Sequence, residues 1–79
     1  RRISVVTGGA SGIGEACVRE FAKAGDLVVV VDRDLAKAEA VASSVKGRAY
    51  VADVGDELGV DACAGVIERE CGPVEVLVN

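Results

Sequence analysis

Hydrophobic residues fall along this chain in two alternating textures. Four short runs, Ile3–Thr7, Leu27–Asp32, Ala49–Asp53 and Val74–Asn79, are rich in Val and Ile. Two of them, ISVVT and LVVVVD, lack clean polar alternation, as strands buried on both faces of a parallel sheet do. Between the runs, apolar residues recur at helical spacing. Ile13, Cys17, Phe21 and Ala24 mark one face of the first segment, Leu35, Ala38, Val41 and Val45 of the second, and Cys63, Val66, Ile67 and Cys71 of the third. Gly25, Gly47 and Gly72-Pro73 stand where these helices should stop, and Asp34 and Asp56 where N-caps belong. The pattern predicts an α/β, Rossmann-type doubly wound parallel sheet, βαβαβαβ, with right-handed crossovers and strand order 3-2-1-4.

A four-stranded parallel sheet of this kind leaves a hydrophobic edge unpaired, and the last run, VEVLVN, stops at the end of a strand. The chain also contains no Met. The expectation is that residues 1–79 are the N-terminal part of a single larger domain whose second half lies outside this sequence.

Composition narrows the function. With 51% hydrophobic and 28% charged residues the chain is globular rather than disordered. Its net charge of −4 argues against a nucleic-acid partner, whose phosphates need Lys and Arg. The longest apolar run, Leu27–Val31, falls far short of the ~20 residues of a membrane span, and no signal peptide is visible. Cys17, Cys63 and Cys71 form no C-x-x-C pair, and His is absent, so no metal site is expected. On one helix, Cys63 and Cys71 would stand about 12 Å apart, too far for a disulfide. A reducing, cytoplasmic compartment fits best.

The chemistry concentrates where the first strand meets the first helix, in Thr7-Gly8-Gly9-Ala10-Ser11-Gly12-Ile13-Gly14. Gly8 lets the chain leave the strand in a tight turn. Gly12 removes a side chain where backbone must approach a pyrophosphate. Gly14 lets the helix pack closely on the strands. The helix N-terminus offers N–H groups near Ser11, Gly12 and Ile13, together with its dipole and the Ser11 hydroxyl. An acid, Asp32, stands 18 residues after Gly14 at the end of the second strand, placed to accept from both hydroxyls of an adenosine ribose. A carboxylate there repels a 2′-phosphate, so NAD is favoured over NADP. Arg33 is placed to receive such a phosphate or to pair with Asp34 or Glu15, and pairing is the preferred expectation.

Thr7-Gly8-x3-Gly12-Ile13-Gly14 resembles the T-G-x-x-x-G-x-G motif of the short-chain dehydrogenase/reductase family in its single-domain subtype. Asp53-Val54 looks like the family's adenine-side D-V pair, and Val76-Leu77-Val78-Asn79 like the run into its N-N-A-G motif. The resemblance implies that Asp53 bonds the adenine amino group and that Val54 stacks there or contributes its backbone. It implies that Asn79 sits near the adenosine ribose and supports the central sheet. It also implies a homodimer or homotetramer acting on a small-molecule secondary alcohol or ketone. The Ser11 position is often Arg or Lys in NADP-preferring relatives, which again favours NAD. The family's catalytic Ser and Tyr-x-x-x-Lys find no counterpart here, because the one tyrosine, Tyr50, is followed four residues on by Val54. Tyr50 is expected to be a packing residue, and these residues carry the cofactor half of an active site. A non-catalytic nucleotide-binding module remains an alternative. A Rossmann-like methyltransferase is a weaker one, because its glycine loop is usually a shorter G-x-G.

Overall fold

Val28 and Val30 point to one side of a central strand, Val29 and Val31 to the other, and all four are buried. That double burial is why LVVVVD shows no polar alternation. The computed structural model describes residues 1–53 and 55–78. Its strands are β1 (Ile3–Thr7), β2 (Leu27–Asp32), β3 (Arg48–Val51) and β4 (Val76–Val78), and its helices are α1 (Gly12–Lys23), α2 (Leu35–Ser44) and α3 (Glu57–Cys71). All strand pairs are parallel, in the order β3-β2-β1-β4 expected from the sequence.

Two cores sandwich the sheet. Under α1 and α2, Val6, Val28 and Val30 meet Val18, Ala38, Val41 and Ala42. On the opposite face, Ile3, Val5, Val29, Val31 and Ala52 meet Ile67 of α3. Full burial of such a side chain contributes roughly 1.5–3 kcal/mol, so β2, which feeds both cores, anchors the fold. Tyr50 joins the second core, and its hydroxyl donates to Glu70 on α3. Burial and the Glu70 carboxylate push its pKa well above the ordinary phenol value. Its role is to hold α3 to β3. None of the helices among the described residues is long and apolar enough to cross a membrane.

The helical faces differ in detail from the expected ones. On α1 the buried residue is Val18, flanked by half-buried Cys17, Phe21 and Ala22, whereas Ile13 is 85% exposed. Ile13 sits in the first turn, and Ala24 is the exposed C-cap. On α2 the core takes Ala38, Val41 and Ala42, and Leu35 is largely exposed. β3 spans Arg48–Val51 rather than 49–53, and β4, Val76–Val78, begins two residues later than the expected 74. Gly25 and Gly72 end α1 and α3 with positive φ as expected. After α2 the left-handed residue is Lys46, not Gly47. Gly47 is bare for another reason: a Cβ there would lie 2.3 Å from the Val28 carbonyl oxygen.

At the N-terminal edge of the sheet, the Asp26 carboxylate is buried. It accepts from the Ser4 hydroxyl and from Arg2 Nε at 3.1 and 2.9 Å. The Arg2 guanidinium also stands over the Phe21 ring, 5.9 Å from its centroid. An unpaired charge so placed would be costly. The Ser4 hydroxyl holds the Asp26 carboxyl below the usual carboxylate range, with help from Arg2 and against burial, which alone would raise it. A depressed carboxyl pKa contributes stability that is present above the unfolded value near 4 and is lost as pH falls through the folded value. Asp26→Ala in the full-length protein is therefore expected to lower Tm at pH 7, with the gap to the parent narrowing below about pH 4. Melting curves of both proteins at pH 7 and pH 3 check this, and an equal gap at both would contradict the assignment.

Candidate functional site

Because the strands are parallel, their carboxyl ends share one edge of the sheet, and the loop after β1 turns over it. Gly8 has φ 67° and Gly12 φ 57°, and neither has an atom within 4 Å of where a Cβ would lie. Left-handed backbone costs other L-residues about 1–2 kcal/mol. Gly8 makes the expected tight turn, and its N–H donates to the Val31 carbonyl at 2.7 Å, tying the loop to the end of β2. Gly12 is bare and open, as expected, but its positive φ means that Ala there strains the ligand-free fold too.

The close packing is divided differently from the sequence expectation. A Cβ on Gly14 would lie 2.2 Å from the Gly8 oxygen and 2.9 Å from Gly9 Cα. Gly14 therefore lets the helix approach its own preceding turn, not the strands. Contact with the strands falls to Gly9, which the motif did not single out. Its Cβ would meet Val30 Cγ1 and the Val6 oxygen at 3.0 Å and Val18 Cγ2 at 3.2 Å. The signal available in the sequence was the doublet Gly8-Gly9.

Ser11 is the exposed, extended N-cap of α1, and its side chain makes no capping bond. The first N–H groups of the helix, at Gly12, Ile13 and Gly14, have no intrahelical acceptor and carry the positive dipole end. Ile13 contributes this backbone position, while its side chain faces solvent. Asp32 closes β2, half-buried. Its Oδ2 accepts from the Ala10 N–H at 3.3 Å and its Oδ1 from the Asp34 N–H at 3.1 Å. The carboxylate thus lies against the glycine loop, where the spacing placed it.

Arg33 is exposed, and the expected pairing is not made. Glu15 holds Arg19 at 2.7 Å, and the Asp34 carboxylate caps α2 through the Lys37 N–H. Arg33 forms no ion pair among the described residues. Asp53 lies beyond β3, exposed, with its Oδ1 accepting from the Gly55 N–H at 2.9 Å in the turn that leads to α3. Val54 and Asn79 lie outside the described residues. Thr7, at the end of β1, was not assigned a role from the sequence. Its hydroxyl donates to the Val78 carbonyl at 3.1 Å and locks β4 beside the loop. The arrangement offers backbone donors and a helix dipole to an anion, beside a carboxylate with acceptor capacity to spare.

A family model described as short chain dehydrogenase matches residues 2–79. The chain is 45% identical over 83 residues to the 2,3-dihydro-2,3-dihydroxybenzoate dehydrogenase of Bacillus subtilis, covering 99% of this chain and 32% of that protein. Among solved structures, a Brucella melitensis 3-ketoacyl-(acyl-carrier-protein) reductase complexed with NADH superposes with a TM-score of 0.90 at 40% identity, over 96% of this chain and 32% of that one. A Brucella melitensis protein described as ribose-5-phosphate isomerase superposes with a TM-score of 0.95 at 42% identity, over 99% of this chain and 30% of that one. The chain therefore spans about a third of the length of the curated relatives it matches.

The two glycines separate by stability. Gly14→Ala must displace backbone and is expected to destabilise the ligand-free full-length protein by about 2–3 kcal/mol. Gly12→Ala, strained but unobstructed, is expected to cost about 1 kcal/mol. Urea denaturation of both variants checks the order, and an equal or reversed cost would contradict the contact with Gly8.

Proposed function

The chain belongs to the short chain dehydrogenase family, and on that premise we propose that residues 1–79 hold the adenosine and diphosphate of NAD within an oxidoreductase acting on a secondary alcohol or ketone. The observation that carries this is the Asp32 carboxylate, seated against the glycine loop by the Ala10 N–H. The open, left-handed Gly8 and Gly12 fit a cofactor whose phosphates approach backbone, since a side chain at either position would stand in that space.

A nicotinamide dinucleotide supplies a hydride donor or acceptor when bound. The N–H groups at Gly12, Ile13 and Gly14, with the Ser11 hydroxyl, bind and orient the diphosphate. Asp32 accepts from the ribose hydroxyls; by family resemblance Asp53 and Val54 serve the adenine, and Asn79 stands near the adenosine ribose. The proton chemistry of the complete enzyme falls to the family's Ser, Tyr and Lys, with Tyr as general acid/base. A phosphosugar isomerase needs no ribose carboxylate behind a diphosphate loop, so the isomerase description of one neighbour does not shift this reading. The same reading places the complete protein in the cytoplasm as a homodimer or homotetramer, on the family resemblance and the three free thiols.

NAD is favoured over NADP because Asp32 repels a 2′-phosphate. Arg33 beside it, exposed and in no ion pair among the described residues, is the feature that supports some use of NADP. Asp32→Ala in the full-length protein is expected to weaken NADH binding about 10- to 100-fold, the worth of two charge-assisted hydrogen bonds, and to narrow or reverse the preference over NADPH. Fluorescence titration with both cofactors checks this. NADH affinity unchanged by the substitution would remove the ribose role.

A further inference from the structure

We infer that Asp32 is a joint that also holds the phosphate loop, with the Ala10 amide and Gly9 as its positioning groups. This deepens the proposed function and rests on it for the identity of the ligand. A carboxylate has about four acceptor sites. Here each oxygen already takes one backbone N–H, Oδ2 from Ala10 in the loop and Oδ1 from Asp34 at the N-cap of α2. Those two bonds fix the rotation of the carboxylate and leave about two sites, the number that a pair of ribose hydroxyls requires.

The dependence runs both ways. Ala10 is 8% exposed and Gly9 is buried beneath it. A backbone N–H in such a place needs a partner, and Asp32 supplies it. Gly9 makes the contact possible by resting without a side chain on Val6, Val18 and Val30, close enough to bring Ala10 to the end of β2. The loop that receives the diphosphate is therefore seated partly by the residue that reads the ribose. Removing the Asp32 carboxylate should loosen diphosphate binding even for a ligand with no ribose hydroxyls. Simple electrostatics gives the opposite sign, because deleting a negative charge beside an anion should tighten it.

The test compares ADP with 2′,3′-dideoxy-ADP, which lacks both hydroxyls, by calorimetric titration of the full-length parent, Asp32→Ala and Asp32→Asn. Hydrogen exchange at the Ala10 amide is measured in the same proteins without ligand. The expected result is that Asp32→Ala binds the dideoxy nucleotide about tenfold more weakly than the parent, the worth of one hydrogen bond to a charged group. Its Ala10 amide should exchange at least about tenfold faster. Asp32→Asn, which keeps an acceptor oxygen for Ala10, should recover part of both effects. Gly9→Ala, which lifts the loop, should speed the same amide. Equal or tighter dideoxy nucleotide binding by Asp32→Ala, or an unchanged Ala10 exchange rate, overturns the joint. If the parent binds neither nucleotide, the proposed function fails on its own, and the exchange rate at Ala10 still decides the joint.

Discussion

The candidate site depends on how closely α1 can start above the turn that feeds it. With Gly14 lacking a side chain, the first turn of the helix lies directly against the Gly8 carbonyl, where a Cβ would come within 2.2 Å. No rotamer relieves such a contact, because the backbone fixes the position of a Cβ and its partner is main chain. The rest of the loop follows from that approach. Gly8 reaches the Val31 carbonyl, Gly9 settles on Val30 and Val6, and Ala10 comes within bonding distance of Asp32. Separation of the helix from its turn would scatter the donors at Gly12, Ile13 and Gly14 from the carboxylate they work beside. The helix dipole is useful to an anion only within its first turn, so its position relative to β1 and β2 decides the chemistry.

Much of the fold was legible because its signals are local. Strands buried on both faces show unbroken Val runs, and the boundaries of β1 and β2 fell where ISVVT and LVVVVD placed them. Asp32 was legible because the carboxyl ends of parallel strands share an edge whatever the details of packing. The less legible features all depend on distances between segments. The helical period gave α1 an apolar face through Ile13, but the sheet lies under Val18, and the first turn overhangs it. Spacing cannot tell Gly14 from Gly9, since both are bare and only the neighbours differ. Gly47 does help to end α2, its N–H donating to the Ala42 carbonyl, but Lys46 takes the left-handed turn, and the need for glycine comes from the Val28 carbonyl. The expected pairing of Arg33 failed because Glu15 has a better-placed partner one helical turn away in Arg19.

The two aspartates that bracket β2 show how satisfaction of a carboxylate separates support from function. Asp26 precedes the strand and Asp32 closes it. Asp26 is buried and accepts from Ser4 and twice from Arg2 Nε, while its own N–H donates to the Phe21 carbonyl. Its partners are side chains, Ser4 on β1 and Arg2 just before it, so it ties the start of β2 to β1 and is occupied on both oxygens. Asp32 is half-buried, and its two partners are backbone N–H groups that occupy one site on each oxygen. A side chain so held cannot rotate freely, yet each oxygen keeps acceptor capacity. Rigidity with residual capacity is what a recognition group requires, because ordering has been completed before the ligand arrives. The same residue type is thus structural just before the strand and suited to binding at its end, and the partners rather than the charge make the difference.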